Sequence, residues 1–97
     1  MSRRQVRVDA TFFDRLDELL APERGADGTP SATDFLLHDL PVVIDLLAED
    51  LFGHTTVVAE NPEIRVSITA GLLVPFISVY AVLGEDDAVE IIYLELG

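Results

Sequence analysis

Apolar and polar residues alternate along Gln5-Val6-Arg7-Val8-Asp9, which places Val6 and Val8 on one face of a short, half-buried strand. The period then lengthens. Phe12, Phe13, Leu16, Leu19 and Leu20 recur at helical spacing with Asp14, Arg15, Asp17 and Glu18 between them, predicting a first amphipathic helix of about three turns. Asp9 or Thr11 caps it and Pro22 closes it. Glu23 to Pro30, with Gly25 and the Asp27-Gly28 turn signal, reads as a surface loop. Ser31-x-x-Asp34 then has the form of a capping box, and Leu36, Leu37, Leu40, Val43, Ile44, Leu47, Leu51 and Phe52 keep a helical period as far as Gly53. Pro41 interrupts this second helix, because it has no N–H to donate and its ring crowds the preceding turn. A kink is expected there or, preferably, two short helices with Pro41 opening the second. His54 to Asn61 connects onward, with a little extended structure at Thr55 to Val58.

Beyond Glu63 the period falls to two. Ile64, Val66, Ile68 and Ala70 alternate with Glu63, Arg65, Ser67 and Thr69, and Gly71 supplies a turn. Leu72 to Leu83 forms the next strand, with a bulge or an irregular start around Pro75, and Gly84-Glu85-Asp86-Asp87 turns the chain into Ala88 to Leu96. The order strand, helix, helix, three strands predicts a single α+β domain over residues 1–97. Its expected architecture is a two-helix hairpin packed on one face of a four-stranded, mostly antiparallel sheet, with Leu72 to Leu83 central.

The other face of that sheet bears on function. Leu72, Val74, Phe76, Tyr80 and Val82 form one phase of the third strand, and Leu73, Ile77, Val79, Ala81 and Leu83 form the other. The fourth strand sets Val89, Ile91 and Tyr93 against Ile92, Leu94 and Leu96, with Glu90 and Glu95 one in each phase. Two helices cannot cover both phases. Ser78 assigns the phase of Val74, Phe76, Tyr80 and Val82 to the outside, and an apolar strip flanked by polar positions of the second strand is the usual form of a partner site.

Ninety-seven residues with 49% apolar content suffice for one core and are too few for two domains. Six basic residues, all arginine, stand against eighteen acidic ones, and the net charge of −12 is the wrong sign for holding nucleic acid by phosphate neutralisation. Arg3, Arg4 and Arg7 precede every acidic residue, so a small positive pole is expected to face an acidic body. The absence of cysteine removes disulfides, thiolate metal sites and cysteine nucleophiles together. Polar Gln5 to Asp9 stands where a secretory leader needs an apolar run, and Leu72 to Leu83 is too short for a membrane-spanning helix. A soluble, cytoplasmic protein is expected.

Few residues suggest chemistry. His38 lies within the second helix and His54 follows its end, with no paired histidines, HExxH or calcium loop, so neither a metal nor any other cofactor is expected. Asp45 and Glu49 share a helix face, and Glu85-Asp86-Asp87 cluster in a turn, patterns that a solvated surface explains. No glycine-rich phosphate loop and no GxSxG occurs.

Three stretches in this order of elements resemble the RelE/ParE superfamily of type II toxin–antitoxin toxins. They are Val6-Arg7-Val8-Asp9-Ala10-Thr11 leading into the Phe/Leu helix, Asn61-Pro62-Glu63-Ile64-Arg65-Val66, and Val79-Tyr80-Ala81-Val82 followed by an acidic turn and Val89-Glu90-Ile91-Ile92. The resemblance covers nearly the whole chain and implies the family's β-α-α-β-β-β fold. For a ribosome-dependent messenger-RNA endonuclease it implies Arg65 as the catalytic residue, since such members use basic and aromatic side chains to activate the 2′-hydroxyl and stabilise the phosphorane. This chain has no lysine, however, and ends Tyr93-Leu94-Glu95-Leu96-Gly97, without the family's histidine-containing ending. The expectation is therefore a toxin-like protein of a toxin–antitoxin, phage or mobile-element system that acts by protein binding, as ParE-type inhibitors of gyrase do. An antitoxin segment, a host target protein or a second copy would cover Val74, Phe76, Tyr80 and Val82. The endonuclease, and an acidic interaction or decoy protein of the same fold, are the alternatives.

Overall fold

The computed structural model describes residues 3–97; Met1 and Ser2 lie outside them. In chain order the elements are β1 (Val6–Val8), α1 (Ala10–Leu19), α2 (Ala32–Asp34), a π-helical turn (Phe35–Asp39), α3 (Leu40–Glu49), α4 (Leu51–His54), β2 (Thr56–Val58), β3 (Asn61–Thr69), β4 (Ile77–Leu83) and β5 (Val89–Leu96). The fold is α+β with one mostly antiparallel sheet in the order β1-β5-β4-β3-β2, in which only the β1–β5 pair is parallel. The sheet has five strands where four were expected. The connector after the second helix supplies the extra one, as Thr56 and Val57 pair with Val66 and Arg65 along the outer edge of β3.

Helix starts follow the sequence closely. The Asp9 carboxylate caps α1 by accepting from the Thr11 N–H, and its hydrogen bonds to Thr11 hold it below the usual carboxylate range. The capping box also forms, with Ser31 Oγ accepting from the Asp34 N–H at 3.0 Å and Asp34 accepting from the Ser31 N–H at 3.0 Å. Pro41 opens α3 as expected, yet the chain stays helical ahead of it. The Leu40 N–H donates to the Phe35 carbonyl five residues back, and this wider turn accommodates a proline ring that has no N–H to place in the α-helical ladder.

The central strand is shorter than expected. Only Ile77–Leu83 is extended, between β3 and β5, while Gly71 to Phe76 forms an irregular loop. Pro75 cannot donate to a ladder, and the amides of Leu72 and Leu73 are turned instead to the Asp39 carboxylate, at 2.6 and 3.2 Å. That carboxylate is 1% exposed, and it ties the loop to the start of α3. Val74, expected on the outer strip, is carried inward by the loop and packs in the core at 7% exposure.

The core lies between the helices and one face of the sheet. Phe12 and Leu16 of α1, Phe35 of the π turn, Val43 and Leu47 of α3 and Leu51 of α4 meet Ile77, Val79 and Ala81 of β4 and Val89, Ile91 and Leu94 of β5. A bulge reconciles the last set. Tyr80 pairs with Tyr93 but Ala81 pairs with Ile91, so Ile92 is an extra residue and the inward phase shifts from Val89 and Ile91 to Leu94. Beyond β1, α1 runs beside the open edge of β5, where Thr11 Oγ1 donates to the Ile92 carbonyl at 2.9 Å and Arg15 Nε to the Leu94 carbonyl at 3.1 Å.

Candidate functional site

Arg65, the residue that the family resemblance singles out, sits half-buried on β3 with its side chain on the helix side of the sheet, because it pairs across the ladder with the buried Ala81. Its Nε donates to Thr55 Oγ1 at 2.7 Å and its Nη2 to the Thr55 carbonyl at 3.2 Å, while Thr55 Oγ1 itself donates to the Leu51 carbonyl. The guanidinium stacks on Phe52, 4.9 Å from the ring centroid. Arg65 thus fastens the end of α4 to the sheet. It also borders a groove of about 640 Å³ shared with Phe52, Pro62, Glu63, Val82, Leu83 and Glu85, whose ionisable groups besides Arg65 are two carboxylates.

The other arginines have carboxylate partners. Arg3 reaches Asp45 and Glu49 at 2.9 and 3.0 Å, Arg4 lies 3.5 Å from Asp87, and Arg7 is held bidentate by Asp86 at 2.8 and 3.1 Å. Arg15 pairs with Glu18 and Arg24 with Asp34. The expected positive pole at Arg3, Arg4 and Arg7 is therefore neutralised by acids of α3 and of the β4–β5 turn. The hydrogen bond with Arg7 holds the Asp86 carboxyl low and raises the guanidinium in return. Among the described arginines, Arg65 alone has no ion-pair partner.

The outer face of the sheet carries no helix. The register places Ile64, Val66 and Ile68 of β3 there opposite Val82, Tyr80 and Ser78 of β4, with Tyr93 of β5 beside Tyr80, the two tyrosine rings meeting edge to face at 5.8 Å. None of these side chains is fully buried, and Ile68 is 67% exposed. Of the sequence-derived strip, Tyr80 and Val82 lie on this face, and Phe76 stands at its end, 59% exposed just before β4. Val74 is absent from it.

Strand β3 reverses the expected orientation. Its polar phase, Arg65, Ser67 and Thr69, faces the helices, with Ser67 only 3% exposed, and its apolar phase faces out. The outer strip is consequently wider than the sequence indicated and has no polar margin on β3. Alternation reveals two faces but not which one is buried; the signal that could have told them apart is Arg65, whose bonds to Thr55 fix the strand's rotation.

His38 and His54 are both exposed, on the π turn and on α4. Among the described residues no group of three or more histidine, aspartate or glutamate side chains could hold a metal ion, and no helix is long and apolar enough to cross a membrane. No protein-family model, no curated protein and no solved structure matches the chain.

Proposed function

We propose that the chain is a protein-binding domain whose partner docks on the outer face of the sheet, the toxin-like mode of action that the RelE/ParE resemblance implies. The observation that carries this reading is the uncovered apolar row Ile64, Val66, Ile68, Tyr80, Val82 and Tyr93, continued at one end by Phe76. A contiguous exposed apolar patch of this kind is a partner surface more often than a bare one. Site-specific photocrosslinking in expressing cells tests it. A photoreactive phenylalanine analogue at Ile68 or Phe76 should yield a discrete protein adduct, and the same group at Asp17 on the exposed side of α1 should not. No adduct from either outer-face position overturns the reading.

One observation favours the endonuclease as a second reading: Arg65 is without a carboxylate partner and borders a groove. Cleavage of messenger RNA confined to translating ribosomes, and lost on Arg65→Ala in protein that remains folded, would support it. Intact message under those conditions would remove it.

A further inference from the structure

The charge on the outer face has an acidic surplus. Glu90 stands beside Val82 and Glu95 beside Ser78 in the β4–β5 register, so both carboxylates flank Tyr93 along the β5 side of the apolar row. The bulge puts them together, since strict alternation would send one of the two to the helix side. Neither forms an ion pair among the described residues. Two arginines reach this margin and each has another carboxylate partner: Arg7, next to Glu90 in the β1–β5 register, is held by Asp86 through two hydrogen bonds, and Arg15, whose guanidinium lies 5.1 Å from the Tyr93 ring centroid, pairs with Glu18 at 3.1 Å. On the opposite side β3 offers Ile64, Val66 and Ile68, and the edge strand β2 adds the uncharged Thr56 beside Val66.

Building on the protein-binding reading, we infer that the outer face takes a cationic amphipathic peptide segment of a partner protein. Its apolar side chains cover Val66, Ile68 and Tyr80, and its lysine or arginine side chains lie over Glu90 and Glu95. The two carboxylates are separated by about 13 Å along β5, a span that basic residues about two helical turns apart can bridge. The whole molecule favours the same sign. At a net charge of −12 it repels an acidic partner at long range, and a second copy would bring its own Glu90 and Glu95 to the interface.

The test uses the full chain and two synthetic peptides of about 15 residues, long enough to become helical on docking. Both carry leucines along one face, with either lysines or glutamates along its margins. Fluorescence anisotropy is expected to show the lysine peptide binding roughly tenfold more tightly, with an affinity that falls as salt rises. The double substitution Glu90→Gln with Glu95→Gln should remove most of that preference, leaving the part due to the overall negative charge, while circular dichroism shows an unchanged fold. Equal affinity for the two peptides, or a preference undiminished by the double substitution, overturns the cationic partner; if Ile68→Asp abolishes that binding, the protein-binding reading stands. Binding of neither peptide by a chain that sediments as a dimer, dissociated by Ile68→Asp, assigns the face to a second copy and overturns the inference alone. Binding of neither peptide by a monomer that also yields no crosslinked adduct overturns both.

Discussion

Arg65 shows how one side chain can decide the face of a whole strand. Its guanidinium donates to a hydroxyl and a carbonyl of the buried Thr55 and stacks on Phe52, so replacing it removes both of those donors from Thr55. Arg65→Ala should lower stability by about 2 kcal/mol in urea denaturation. Arg65→Lys should recover less than half of that loss, because an ammonium cannot present the paired donors of the guanidinium fork. A substitution within about 0.5 kcal/mol of wild type would show that the contacts contribute little. Asp39 does comparable work without any sequence signature, for nothing in the helical period distinguishes it from Asp45. Asp39→Ala removes the shared acceptor of two loop amides and should cost about 3 kcal/mol, whereas Asp39→Asn keeps one acceptor oxygen and should cost less. Equal losses would assign the effect to charge and not to loop anchoring.

Elements whose signals are local were legible, and those set by a partner strand were not. The caps of α1 and α2 are fixed by residues two and three positions away, and both form as read. Asp34 makes the second cap measurable. Hydrogen bonds from Arg24 first, and then from Ser31, bring its pKa from 3.8 to about 2, so the folded chain prefers the carboxylate. That contribution is complete above 3.8 and disappears as the pH falls towards 2. Carboxyl chemical shifts should give the low midpoint directly, and Arg24→Ala should move it up. A midpoint near 3.8 in wild type would mean that the bonds do not persist in solution. The β5 bulge, by contrast, leaves no local mark: Val89 to Leu96 reads as apolar in both phases, and only pairing with β4 shows that Ile92 is the extra residue. The short β2 was legible only as a trace of extended structure, because a three-residue strand has too few positions to establish a period. The outer site shares this limit, since Tyr80 and Val82 were readable from the phase of Ser78 while Ile64, Val66 and Ile68 depended on the rotation of β3.

For the molecule as a whole, two electrostatic effects oppose each other. Ion pairs at the arginines favour the folded state, but most of them are exposed and each contributes about 0.2–1 kcal/mol. Against them, eighteen acidic residues face six basic ones in a chain of 97 residues, and folding brings the excess carboxylates closer together. Added salt screens both effects, so the sign of its influence reports which is larger. The charge imbalance predicts that repulsion wins and that the melting temperature rises with sodium chloride up to about 0.5 M, where the Debye length falls to a few ångströms. A relief of 1 kcal/mol corresponds to about 4–8 °C for a domain of this size. A falling melting temperature would place the ion pairs first, and would point to the ties between Arg3, Arg7 and their acids as the main electrostatic support of the fold. The same titration separates folding from recognition. A cationic segment bound beside Glu90 and Glu95 should leave the outer face as salt rises, over the range in which the chain beneath it becomes more stable, so loss of binding there cannot be attributed to unfolding.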